Sequence, residues 1–135
     1  MARQFVIQLE NRPGELAHLT RALAGGGINI RNIASVTAGA LASAFITTSD
    51  DDATREVLRG LGHPFIEGDM IVADVADRPG GFADVAEKLA SAGVNILGAI
   101  VVGRRPGLIE VAFSVDNEAA AKAALGLAGR SGLPR

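Results

Sequence analysis

Residues 11–16 read Asn11-Arg12-Pro13-Gly14-Glu15-Leu16, and residues 27–30 read Gly27-Ile28-Asn29-Ile30. An apolar-rich run of strand length, Gln4 to Leu9, leads into the hexapeptide. Beyond it the apolar residues fall at Leu16, Leu19 and Leu23, which is helical spacing. The hexapeptide is therefore expected at a strand-to-helix corner. Pro13 presets the backbone angle of a first helical turn and lacks an N–H that would find no partner there. Gly14 has no side chain, so a small molecule could approach the backbone closely. A helix start also exposes unpaired N–H groups and partial positive charge, a place suited to a carboxylate or phosphate.

The corner occurs twice. Asp77-Arg78-Pro79-Gly80 repeats it and Gly93-Val94-Asn95-Ile96 repeats the second piece, each displaced by 66 residues (77 less 11, 95 less 29). Leu23 and Leu89, Val36 and Val102, and Asp50 and Asp116 fall at the same offset without a gap. Two copies are too few for a solenoid, so a duplicated small domain is the reading, with units 1–68 and 69–135. Units of this size gain from burying surface against each other.

Within unit one the pattern gives a strand at Gln4–Leu9, a helix from Pro13 to Ala24 and a glycine stop at Gly25–Gly27. A strand from Ile28 to Thr37, a turn near Gly39, a strand from Leu41 to Thr48 and a helix capped by Ser49 and Asp50 follow, the helix running through Leu61. Phe65-Ile66 and Met70 to Val75 carry the last strand of unit one into the first of unit two. Unit two repeats the order: helix Pro79–Ala92, strand Val94–Val102, strand Leu108–Val115 and an alanine-rich helix from Asn117 to Leu127. The fold class is α+β: two ferredoxin-like βαββαβ units side by side, antiparallel sheets with helices on one face. The tail from Gly129 has no strand pattern, so unit two is expected to lack a proper last strand and to fray there.

Composition narrows the function. Hydrophobic residues make up 48% of the 135, which indicates a packed globular chain. The net charge is −2 with no basic run, and there is no Trp or Tyr, so the basic footprint and stacking platforms of a nucleic-acid binder are missing. Cysteine is absent, which excludes disulfides, thiolate metal sites and a cysteine nucleophile. No apolar run approaches the ~20 residues of a membrane span, and no signal segment is read at the N-terminus. A soluble, cytoplasmic, cofactor-free protein is the expectation. Asp50-Asp51-Asp52 reads as a helix start, not a calcium loop. His18 and His63 read as surface histidines, and no nucleophile–base–orienter set can be assembled.

The paired corners, a Leu two positions after Gly14 and the Gly-Ile-Asn-Ile that follows the helix resemble an ACT domain, the small-molecule regulatory module of amino-acid metabolism. The resemblance covers residues 4 to about 128 in two copies and leaves no catalytic domain over, so it implies a free-standing tandem ACT protein. It also implies an amino acid held where two ACT units meet, by the β1–α1 loop and the second strand. In the serine-binding regulatory domain of phosphoglycerate dehydrogenase the contacting positions match Asn11 and Asn29 here, with Asp77 and Asn95 in unit two. That domain has a His where this chain has Leu9 and Val75, which points away from serine and toward an apolar ligand, a branched-chain one being reasonable. The candidate site is therefore Asn11, Arg12, Pro13, Gly14, Glu15, Leu16, Ile28, Asn29 and Ile30, with Asp77, Pro79, Gly80, Gly81, Phe82, Val94, Asn95 and Ile96 in unit two.

Turn and capping chemistry accounts for Asn11 and Asp77 equally well at either site taken alone. Three functions compete: an amino-acid sensor acting on a regulated enzyme and assembling as a homodimer; a ligand-free docking or oligomerisation module; and an acylphosphatase-like enzyme. The last needs a phosphate-holding Arg with a water-positioning Asn, which the chain does not supply. The first is preferred.

Overall fold

A computed structural model describes residues 3–127; the expected frayed tail and missing last strand lie outside these residues. The described elements are β1 (Arg3–Glu10), α1 (Glu15–Gly25), β2 (Ile30–Ala38), β3 (Leu41–Thr48), α2 (Asp51–Leu61), β4 (Phe65–Ala76), α3 (Gly81–Ser91), β5 (Ile96–Arg105), β6 (Leu108–Val115) and α4 (Glu118–Leu125). The described residues divide into two compact units, 4–67 and 68–127, the latter taking Arg3 with it. Arg3 accordingly donates to Asp69 Oδ1 at 2.9 Å.

In the N-terminal unit β3 lies between β2 and β1, both pairings antiparallel. Every second residue of β1, Phe5, Ile7 and Leu9, points to one face, where Leu19 and Leu23 of α1 and Leu58 of α2 meet them. That period-2 against period-3.6 match puts both helices on the same face of the sheet. Each such leucine, fully buried, contributes about 1.5–3 kcal/mol. The start of β4 belongs here as well: the Phe65 ring packs on Phe5 with centroids 6.1 Å apart, and Arg55 of α2 grips Glu67 through two hydrogen bonds of 2.6 and 2.8 Å. The bonds to Glu67, and then to Asp52, raise the Arg55 guanidinium pKa above its ordinary value.

The C-terminal unit has β6 between β4 and β5, again antiparallel. Ile71, Ala73 and Val75 of β4 and Val111, Phe113 and Val115 of β6 meet Leu89 of α3 and Ala121 of α4. On the opposite face Met70, Val72 and Ala112 form a smaller buried cluster.

The β-α-β-β-α-β order and the ferredoxin-like arrangement of strands and helices agree with the sequence reading, with adjustments at the ends. β2 begins at Ile30 instead of Ile28, because Gly27 (φ 72°) ends α1 in a Schellman motif: Gly27 N–H donates to Ala24 O and Ile28 N–H to Leu23 O. Gly93 (φ 73°) and Val94 repeat this on α3. β4 is one continuous strand across Glu67-Gly68-Asp69, not two pieces. The gapless 66-residue match also needs correction. The β2–β3 ladder carries one register shift, whereas β5–β6 carries two, the second between Val101 and Gly103. The extra bulge residue moves the offset to 67 beyond the hairpin. Ser49, not Asp50, is thus the counterpart of Asp116 (116 less 49): each side chain accepts the N–H of the loop Asn. Asp50 corresponds to Asn117, and these two cap α2 and α4.

Candidate functional site

Both strand-to-helix corners form, but α1 and α3 begin two residues later than expected, at Glu15 and Gly81, so Pro13 and Pro79 lie in the turn before each helix and not in its first turn. Gly14 (φ 88°) and Gly80 (φ 83°) take the left-handed conformation and open α1 and α3 without any side-chain cap. The other two helices are sealed: Asp50 accepts from Ala53 N–H and Asn117 from Ala120 N–H, each at 3.0 Å. The two helix starts that follow Arg-Pro-Gly are therefore the ones left without a side-chain acceptor. A helix start of this kind carries partial positive charge that favours an anion.

Hydrogen bonds tie each corner to the hairpin of its own unit. Asn11 N–H donates to Ala40 O (3.1 Å) and its Nδ2 to Gly39 O (3.0 Å), so the amide holds the β2–β3 tip. At the second corner Asp77 N–H donates to Gly107 O (3.0 Å), and the Asp77 carboxylate accepts from Arg104 Nη1 at 3.3 Å. Arg105 on the same hairpin pairs with Asp74 and Glu110. Arg78 donates to Pro79 O (3.2 Å) and to Asp84 (3.1 Å).

At the first corner the residues line a half-open cleft of about 160 Å³. Leu9, Glu10, Asn11, Arg12, Glu15 and Leu16 form one side, and Ser35, Thr37 and Ala42 of the β2–β3 hairpin the other. Arg12 stands between two carboxylates, 2.8 Å from Glu10 and 3.4 Å from Glu15. Glu10 and Arg12 are mostly solvated, with side chains 64% and 63% exposed, whereas the Glu15 side chain is only 17% exposed. Sequence reasoning did not single out Ser35, Thr37 or Glu10. The signal for the two hydroxyls was present in their i, i+2 spacing, which puts both on one face of β2.

The second sequence piece lies elsewhere. Ile28 and Val94 are core residues, 5% and 6% exposed. Asn29 and Asn95 precede β2 and β5 and are exposed. Their N–H groups donate to Ser49 Oγ (3.0 Å) and Asp116 Oδ1 (2.9 Å), and their carbonyls accept from Ser49 N–H and Asp116 N–H. Asn11 sits at the turn end of β2 and Asn29 at its start. Nine strand residues separate them, roughly 30 Å at ~3.3 Å per residue. One unit by itself therefore does not bring Asn11 and Asn29 to a common ligand. Among the described residues no group of three or more His, Asp or Glu side chains could hold a metal ion, and no helix is long and apolar enough to cross a membrane.

Residues 70–125 match the model of the ACT domain, so this segment is a single ACT domain. The whole chain resembles protein BT0572 from Bacteroides thetaiotaomicron, with TM-score 0.70 and 23% identity over 93% of this chain and 86% of that one. It also resembles the ligand-free regulatory subunit of aspartate kinase from Thermus thermophilus, with TM-score 0.63 and 22% identity over 96% and 93%. Aspartokinase alpha and beta subunits align with TM-score 0.64 and 19% identity over 93% and 88%. At these identities the likeness is one of fold. No curated protein matches the chain.

Proposed function

We propose that the chain is a tandem ACT-type regulatory protein that binds an α-amino acid at the Asn11–Leu16 corner and passes the binding event to an associated enzyme. The observation that carries the reading is the pocket itself. In one cleft it joins an uncapped helix start, a guanidinium, a partly buried carboxylate and the apolar surface of Leu9 and Leu16. An α-amino acid presents the complementary set. Its carboxylate meets the N–H groups of the first turn of α1 and Arg12, its ammonium meets a carboxylate, and an aliphatic side chain or stem lies on the leucines. A hydrogen bond to a charged group is worth about 1.5–3 kcal/mol net, so two or three give roughly the −4 to −8 kcal/mol of millimolar-to-micromolar affinity. That range suits a sensor of metabolite concentration. The tandem reading is supported by the ACT match at 70–125 and by the same β-α-β-β-α order in Gln4–Glu67. In this account Asn29 reaches a ligand only from a second copy of the chain, which makes a homodimer part of the proposal. The neighbouring fold of an aspartate kinase regulatory subunit favours a role as a regulatory partner of an enzyme and not as the enzyme itself.

A thermal-shift screen of the twenty amino acids at millimolar concentration tests the reading. Saturation at about 100 times Kd stabilises by ~2.7 kcal/mol, a rise of several degrees in a chain of this length. One or a few amino acids are expected to give it, and Asn11→Ala to abolish it. Silence from all twenty would overturn the reading. A ligand-free pairing module is the second reading. It is favoured by the exposed Ile33 and Val36 on β2, which forms an edge of its unit. Under that reading Val36→Lys weakens self-association and no amino acid shifts the melting temperature.

A further inference from the structure

We infer that the two corners are unequal: the first alone loads an amino acid, and Glu15 is the group that holds its ammonium. The inference rests on the amino-acid reading above. Both corners share Arg-Pro-Gly and the left-handed glycine, so the distinction lies in the flanking residues. After Gly14 comes Glu15, whose carboxylate lines the pocket, is 17% exposed and stands 3.4 Å from Arg12. The corresponding residue after Gly80 is Gly81, where a Cβ would overlap the carbonyl oxygen of Ala76. That backbone contact leaves no room for any side chain, so an acid cannot occupy the position in the second unit.

The remaining charges of the second corner answer one another. Asp77, at the place of Asn11, is paired with Arg104 at 3.3 Å, and Arg78 folds back over the helix start onto Pro79 O and Asp84. Its Nη1 lies 3.8 Å from where a Gly80 Cβ would stand, so the guanidinium covers the turn that would take a carboxylate. At the first corner nothing stands within 4 Å of where a Gly14 Cβ would be, and Arg12 lies between Glu10 at 2.8 Å and Glu15 at 3.4 Å. An entering ammonium replaces Arg12 at Glu15, and Arg12 keeps Glu10. Opposite charges then meet in a pocket that excludes part of the solvent, where they attract more strongly than at an open surface.

Isothermal titration of the full chain with each of the twenty L-amino acids tests this, repeated on Glu15→Gln and with the 2-oxo acid of whichever amino acid binds. Glu15→Gln keeps the shape and removes the charge, and circular dichroism establishes that the variant is folded. The expected results are one equivalent bound per chain, about ten- to hundredfold weaker binding in Glu15→Gln and no heat from the 2-oxo acid. Two equivalents per chain, wild-type affinity in Glu15→Gln, or equal binding of the 2-oxo acid would overturn the inference while leaving the amino-acid reading intact. No heat from any of the twenty would remove both.

Discussion

Gly81 and Gly14 show how the same residue type can be required for two different reasons. At Gly14 the space around a Cβ is open, and only the positive φ demands glycine. Gly14→Ala is therefore expected to cost about 1–2 kcal/mol, the penalty of a left-handed conformation for an ordinary residue. At Gly81 the φ is unremarkable but the Ala76 carbonyl occupies the space, so Gly81→Ala must move backbone and costs about 1–3 kcal/mol. Urea unfolding of each variant measures the two losses. The caps are a third residue-scale feature. Asp50→Ala removes the acceptor for Ala53 N–H and is expected to lower stability by about 1 kcal/mol, read from the same unfolding curves.

β4 carries the most informative difference between sequence and structure at the element scale. The apolar pattern gives two pieces, Phe65-Ile66 and Met70 to Val75, with Gly68 between them. Gly68 lies instead inside one continuous strand, buried, where Ser114 Oγ of β6 would overlap a Cβ and Leu97 Cδ1 would stand at 3.2 Å. A glycine inside a strand can mark close approach as readily as a turn, and only a partner known in space decides which. Gly68→Ala is expected to destabilise by about 1–3 kcal/mol. Ser114 Oγ is buried without a hydrogen-bond partner among the described residues, so Ser114→Ala costs little and should relieve most of the Gly68→Ala loss. A double-mutant cycle checks this, and additive losses would contradict it. The β5 bulge at Val101–Gly103 was illegible for a related reason. A one-residue insertion leaves apolar residues on both sides, so the 66-residue match runs past it unbroken and pairs Asp50 with the wrong acid. By contrast β3 and β6 were legible to the residue, since turn chemistry at one end and cap chemistry at the other bound their apolar runs.

For the molecule as a whole, repetition in the sequence made the architecture of each unit readable, and the same repetition obscured what separates the two corners. Asn-Arg-Pro-Gly and Asp-Arg-Pro-Gly look equivalent as strings. The pocket at the first corner depends on Ser35 and Thr37 arriving from β2, and the closure of the second on Arg104 arriving from β5. These pairings span more than twenty residues and carry no local signature. Ile28 and Val94 were drawn into the candidate site because they sit beside Asn29 and Asn95, yet helix-stop geometry turns them into the core. What the account requires of the chain is that a small zwitterion settles at the first corner and nowhere else among the described residues. Amide-resolved NMR titration with the amino acid that raises the melting temperature measures this directly. The account predicts shifts concentrated at Asn11–Leu16, Ser35 and Thr37, and at Asn29 contributed by the second copy, with Asp77–Phe82 unmoved. Shifts of equal size at both corners, or shifts confined to residues outside the first, would contradict it.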